Sequence, residues 1–432
     1  MSTPTFIRWR VLSVLVLASF VSYILRYNVS TAGPAMIADL NLTEIQFGWI
    51  LAAFTVGYTV FQLPGGLFGD RFGPKRALTI IAVLWALFTI LTALIPGPGM
   101  ASTTIIIASL MLVRFLVGAA HAPIYPVTNV VVRRWFPVGG WALPNGLSST
   151  GLTLGIAVSA PLLAWMIAQV GWRVSFVMMA PIGFVVAGFW WWYARDDPAQ
   201  HPGINTAEVE LIAAGRAEQS NKEESGNWLD VVKNRDILLL TISYFCTNYV
   251  FYEVFIWFFY YLVTIREFGA QEAGFLTSSQ WIAGAVGATF GGWLCDYLCG
   301  RFGMRWGCRW PAIIGMTLAG IFLVVGAFTS NPYLAVGLLA GCFLFSQFTE
   351  ATYWTASIAI GGDQAGTAGG VMNTGGNVVG FVNALLVPYI AQTFGWDFAI
   401  ASGGVFAFIA AGLWFFIRPD HSISTTTKST SL

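Results

Sequence analysis

Gly65–Arg76 reads GGLFGDRFGPKR. Four glycines and a proline punctuate it, and one acid stands among three bases. Apolar runs flank it near 46–68 and 77–95. Each is about the 20 residues that a helix needs to cross hydrocarbon. The stretch therefore reads as a charged loop between two membrane helices, with glycines that let helix backbones approach closely. Asp70 and Arg71 are candidate gating residues, because an acid at a helix end can pair with basic groups and hold that side shut. A partial copy follows at Gly292-Trp293-Leu294-Cys295-Asp296-Tyr297, then Arg301-Phe302-Gly303. Asp70 and Asp296 are 226 residues apart, about half the chain, so Asp296 and Arg301 are the matching candidates in a second, related half. Parallel halves of this kind place a substrate site between them, near the bilayer midplane. The plainer reading of both stretches is a turn with topogenic charge.

The rest of the chain fits. Of 432 residues, 56% are hydrophobic and 9% charged, against about 25% charged in a soluble domain. Mean hydropathy is +0.70. Such a chain belongs in a bilayer, and a net charge of +1 offers no basic face for nucleic acid. Further apolar runs lie near 11–36, 103–130, 143–168 and 173–194, then 237–263, 274–299, 311–329, 333–359, 367–391 and 396–417. The prediction is an all-α polytopic membrane protein of twelve transmembrane helices in two pseudo-symmetric six-helix bundles. The expected divisions are 1–194 for the first bundle, 195–236 for a connecting loop, 237–418 for the second bundle and 419–432 for a tail. Asn205 and Glu208 have capping-box spacing at the start of a short helix in that loop. With the N-terminus placed inside, 17 Lys and Arg fall on the cytoplasmic side, Arg173 and Arg266 fall outside, and Arg26 and Arg114 lie in the membrane. Positive charge concentrates on the cytoplasmic side, so both termini are expected there. The run from Val11 is too long for a cleaved signal core and reads as a retained first helix. Cys295, Cys299 and Cys308 are close in sequence, but no His or carboxylate completes a usual zinc spacing, so no metal and no cofactor are expected.

Several segments carry a family resemblance. GGLFGDRFGPKR resembles the helix 2–3 loop signature of the major facilitator superfamily, and the copy near Asp296 lies where that superfamily repeats it. Arg26-Tyr27-Asn28, FQLPGG (61–66), RFLVGAAHAPIYP (114–126), WFP (135–137) and GWR (171–173) narrow it further. So do RDDPAQHPGI (195–204), FTEATYW (348–354) and GVMNTGGN (370–377). Together they resemble the anion:cation symporter family of that superfamily, which holds bacterial sugar-acid importers. The resemblance implies a small organic anion, usually a carboxylate, imported by proton symport or with another cation. It also implies alternating access, a bacterial inner membrane and a working monomer in lipid.

An ionisable group inside the bilayer costs about 2.5–3.5 kcal/mol on the insertion scale and needs a reason. Arg26, in the middle of helix 1, offers a planar fork that matches a carboxylate, and the family places its essential arginine there. The alternative is a structural ion pair. Arg114 resembles the superfamily's helix-4 arginine, with relay and structural pairing both open. Two departures stand out: Leu25 and His121 occupy positions where sugar-acid carriers often have Asp and Glu. That leaves Glu350, Glu253 and His121 as proton-coupling candidates, with Arg114 beside them. The two glutamates rank first, because a protonated carboxylate is neutral and releases Arg26, whereas a protonated histidine adds charge beside Arg114. A helix histidine held by hydrogen bonds in the core is the other reading of His121. Tyr58, Gln62, Trp354, Asn373 and Asn377 are the candidate substrate contacts beside Arg26, with helix packing as their alternative.

A proton-coupled efflux antiporter of amphipathic compounds would want a Gly-Pro pairing in helix 5, which has instead Gly146, Gly151, Gly155 and a late Pro161. An organophosphate exchanger would want an arginine in each half, and helix 7 offers Glu253. A non-transporting receptor would want a long signalling tail. An enzyme is not expected, since no metalloprotease, nucleophile-elbow or phosphate-loop motif occurs.

Overall fold

The computed structural model describes residues 3–213 and 227–423. Arg216, Lys222 and Lys428, three of the 17 bases expected on the cytoplasmic side, lie outside the described residues. Eight helices are long and apolar enough to cross a membrane, and a pair bent by 44° at Phe61 makes a ninth crossing. Three of the eight, Ala142–Tyr193, Glu272–Phe328 and Pro332–Phe394, run to 52, 57 and 63 residues. A crossing takes about 20 residues, so each is two crossings, and the described residues hold twelve.

In chain order these are α1 (Ile7–Leu40), α2 (Glu44–Val60 and Gln62–Phe72), α3 (Pro74–Ala93) and α4 (Thr103–His121 and Ile124–Trp135). Next come α5 (142–170) and α6 (172–193), then α7 (Arg235–Ile265). The last five are α8 (270–302), α9 (304–328), α10 (Pro332–Gly361), α11 (Ala365–Phe394) and α12 (Trp396–Leu413). α1–α6 and α7–α12 form the two six-helix bundles. Trp165, Val185 and Leu385 are 64%, 68% and 77% exposed, an apolar outside that suits lipid.

The turns show why the two halves are alike. Gly73 ends α2 at φ 82°, and Gly303 separates α8 from α9 at φ 77°. Gly171 separates α5 from α6 at φ 75°, and Gly395 separates α11 from α12 at φ 94°. These left-handed conformations suit glycine, which has no Cβ. Pro74 then opens α3 at a position where its missing N–H costs nothing.

Where the halves cross, helix backbones touch. A Cβ on Gly66 of α2 would lie 2.1 Å from the carbonyl oxygen of Gly366 on α11. One on Gly146 of α5 would lie 2.3 Å from the carbonyl oxygen of Ala288 on α8. Two carboxylates seal these crossings. Asp70 accepts from the amides of Gly366 and Thr367 at 3.0 and 2.7 Å, and from the Thr367 hydroxyl at 2.7 Å. Asp296 accepts from the amides of Ala142 and Leu143 at 2.7 and 2.8 Å. Each acid caps the N-terminus of a helix in the opposite half. The expectation of basic partners is corrected on this point: four unsatisfied amides at a helix start are ready donors for an anion. Arg133 and Asp363 add an ion pair between the halves at this same face.

This face carries the start of α1 and the end of α12 and is called the terminal face below. Glu208 lies on it, in the short helix Thr206–Ala213. Its amide donates to Asn205 Oδ1 at 3.0 Å, the first half of the expected box. Its carboxylate turns instead to the start of α1, accepting from Thr5 Oγ1 (2.6 Å), Ile7 N (2.9 Å), Arg8 N (3.2 Å) and Arg8 Nη1 (3.1 Å). Burial opposes ionisation of Glu208, but the bonds from Thr5, Ile7 and Arg8 outweigh it and hold the carboxyl below its ordinary value.

Candidate functional site

Between the halves, above those crossings, lies a narrow central cavity. It is walled by α1, α2, α4 and α5 from the first half and α7, α10 and α11 from the second. Of the expected contacts, Arg26, Tyr58, Trp354, Asn373 and Asn377 line it, and so does Glu350.

Arg26 reaches the cavity through aromatic faces. Its guanidinium lies 4.4 Å from the centre of the Tyr58 ring, 4.9 Å from Phe54 and 5.0 Å from Tyr23. One nitrogen donates to the Tyr23 hydroxyl at 3.1 Å. Among the described residues no carboxylate oxygen lies within 4.0 Å of it. Ring faces attract the cation and tyrosine hydroxyls accept from it, and none of these partners is an acid.

Glu350 is held by one oxygen. Oε1 accepts from the Tyr244 hydroxyl at 2.7 Å and from Trp354 Nε1 at 2.8 Å, the latter one turn along α10. Oε2 makes no hydrogen bond among the described residues. Tyr125 brings α4 against Trp354, with ring centres 5.6 Å apart across the halves.

A polar chain runs beside these groups. Asn373 Nδ2 donates to Gln62 Oε1 at 2.9 Å. Asn377 Nδ2 donates to Asn373 Oδ1 at 3.0 Å, and Asn377 Oδ1 accepts from Tyr252 at 2.8 Å. Gln62 is fully buried and does not line the cavity; it fixes the amide that does.

The other expected residues lie elsewhere. Glu253 is buried, off the cavity wall, with neither oxygen hydrogen-bonded among the described residues. It starts a π-helical turn in α7 and points toward Gly403 of α12, where a Cβ would come within 2.0 Å of Oε2. The His121 ring stacks on Trp85 at 5.0 Å, with Nδ1 2.9 Å from Val117 O and Nε2 3.1 Å from Ser22 O. Both nitrogens thus face backbone carbonyls, and the ring is off the cavity wall. Arg114 is buried beside Phe54, 4.9 Å from the centre of that ring, and is off the cavity wall. Arg71 is exposed beside Phe72, and Arg301 is exposed and donates to Tyr297 at 3.1 Å. The Cys295, Cys299 and Cys308 sulfurs gather within 4.8 Å of one another at the α8–α9 turn.

Sequence reasoning passed over the α7 wall. Tyr244, Asn248, Phe251, Tyr252 and Phe255 line the cavity at helical spacing. The signal was present as polar and aromatic residues at i, i+4 and i+8 in an apolar helix. Tyr23, one turn before Arg26, was missed likewise.

This architecture, with a cavity walled by both halves, is that of a membrane transporter. The chain belongs to the Major Facilitator Superfamily, whose sequence pattern matches residues 15–298 and 297–431. It is 30% identical over 416 residues to a probable galactarate/D-glucarate transporter of Escherichia coli K12, covering 93% of this chain and 91% of that one. It is 28% identical over 416 residues to a hexuronate transporter of Bacillus subtilis, covering 95% and 94%. Its fold is similar to the structure of a proton:xylose symporter, with a TM-score of 0.77 at 13% identity over 96% of this chain and 98% of that one.

Proposed function

We propose that this transporter imports a small hydroxylated carboxylate of the sugar-acid kind together with a proton. The observation that carries the reading is the Arg26 guanidinium, set in the central cavity without a carboxylate partner among the described residues. A carboxylate fits its fork with two hydrogen bonds. Tyr252, Asn373 and Asn377 supply donors and acceptors for hydroxyl groups, and Trp354 supplies a flat apolar wall for carbon. The names of the sugar-acid relatives support the same class.

Charge bookkeeping supplies the coupling. Empty, the cavity holds one guanidinium and, apart from it, one ionised Glu350. Loaded with a monocarboxylate, it balances again only when Glu350 takes a proton. Closing an apolar protein over an unbalanced charge costs several kcal/mol, so the halves rock when anion and proton are both bound or both absent. In this reading both termini are cytoplasmic, residues 195–236 tether the bundles, and a monomer suffices. Asp70 and Asp296 then hold the cytoplasmic side shut.

The test is uptake of a labelled carboxylate panel into proteoliposomes, with and without an imposed pH gradient. Expected is accumulation of at least one sugar acid only under an inward proton gradient. Uptake indifferent to the gradient removes the proton, and no uptake of any carboxylate removes the substrate class.

A further inference from the structure

The cavity wall holds one cation and one carboxylate, Arg26 and Glu350. In no protonation state does that wall balance two negative charges. Yet a second guanidinium lies close behind it. The Phe54 ring has the Arg26 guanidinium 4.9 Å from its centre and the Arg114 guanidinium 4.9 Å from the same centre. Arg114 is 3% exposed, and among the described residues no carboxylate lies within 4.0 Å of it and its Nε has no hydrogen-bond partner. Phe54 is itself buried, stacked on Tyr58 at 5.8 Å. A buried cation with no counter-charge is an unmet demand for an anion, and one aromatic ring is in contact with both it and the cavity's own cation.

We propose that Phe54 sets the charge selectivity of the site: by covering Arg114 it admits acids with one carboxylate and rejects those with two. The inference rests on the organic-acid reading above and sharpens it. A hexuronate and an aldarate share a six-carbon hydroxylated chain and differ by one carboxylate. Both kinds appear in the names of relatives, and this cavity is built for the first. The second carboxylate of an aldarate enters a wall of tyrosines, amides and an acid, without the cation it needs.

The experiment measures inhibition of labelled hexuronate uptake in proteoliposomes by unlabelled hexuronate and by unlabelled galactarate. For the wild-type protein, galactarate should need at least tenfold the concentration. Phe54→Ala should narrow that ratio about tenfold or more through tighter galactarate binding, because Arg114 becomes reachable. Phe54→Leu, which keeps an apolar cover, should hold the wild-type ratio. Phe54→Ala with Arg114→Gln should restore it. Phe54→Val carries the same comparison should the alanine variant not purify as monodisperse protein. A wild-type ratio near one overturns the proposal. So does a Phe54→Ala variant that weakens both acids alike, or a gain for galactarate that survives Arg114→Gln. Failure of the wild-type protein to take up either acid would instead strike the organic-acid reading itself.

Discussion

Arg26 sits against three aromatic rings where an intramembrane arginine would ordinarily find an acid. That choice keeps the cation in place while leaving its charge without an acid. Truncating one partner of a buried charge pair costs about 2–5 kcal/mol, or roughly 30-fold and more in affinity. Arg26→Ala should therefore weaken substrate binding by at least that factor. Arg26→Lys should not rescue it, because a point charge lacks the fork. Substrate-induced quenching of tryptophan fluorescence would measure both, and near wild-type affinity in the alanine variant would remove Arg26 from the site. Glu350 divides the coupling candidates by position: it lines the cavity, whereas Glu253 and His121 do not. Glu350→Gln is expected to exchange labelled substrate across liposomes at a rate near that of the wild type while failing to accumulate it under a proton gradient. Glu253→Gln, remote from the solute, should accumulate it; a reversed pattern would move the proton site to α7.

At the scale of elements, the terminal face follows one device. Four helices beginning there, α1, α3, α5 and α11, receive a carboxylate from another segment at their first amides. The donors of charge are Glu208, Asp196, Asp296 and Asp70; Asp196 accepts from Lys75 N at 2.8 Å. Asp196 and Glu208 act within the first half and its linker, while Asp70 and Asp296 act between the halves and, in the proposed mechanism, let go when the halves rock. Losing such a cap costs about 0.5–2 kcal/mol. Asp70→Asn should thus shift the protein about 2- to 30-fold away from the state closed at this face, slowing transport while leaving equilibrium substrate affinity nearly intact. Spin labels on α2 and α11 would read the shift as a longer distance distribution. Gly66→Ala should do the same more severely, since its Cβ meets a backbone oxygen at 2.1 Å that no side-chain rotation relieves. An unchanged distance distribution in both variants would mean that this crossing does not close the transporter.

For the molecule as a whole, Glu208 ties the linker to the start of α1 and so joins segments about 200 residues apart. Replacing it leaves buried amides unpaired, at about 1–3 kcal/mol. The carboxyl lies below its ordinary value when folded. Its contribution is therefore complete above the ordinary glutamate range and fades as pH falls through the lowered folded value. Glu208→Gln should melt at a lower temperature than the wild type at neutral pH, and the gap should narrow on acidification into that range. A gap that widens toward acid would contradict the clasp.

The sequence by itself determined that this chain crosses a membrane many times, in two related halves, because hydropathy and the 226-residue spacing of Asp70 and Asp296 are properties of the chain alone. It also singled out Arg26, since a charge in an apolar run is conspicuous without any fold. Helix ends were less legible: α1 runs on to Leu40 and α9 begins at 304, beyond their apolar runs, because helices continue past the hydrocarbon into charged ends. What only the tertiary structure decided is which of several similar residues face one another. Glu350 and Glu253 each read as a lone acid in an apolar helix, and only packing turns one into the cavity and the other toward α12. Asp70 was expected to meet a base and meets helix amides instead, because a helix start from the opposite half arrives there. Phe54 carried no signal in one dimension, since its contact with two guanidiniums exists only once α1, α2 and α4 pack together.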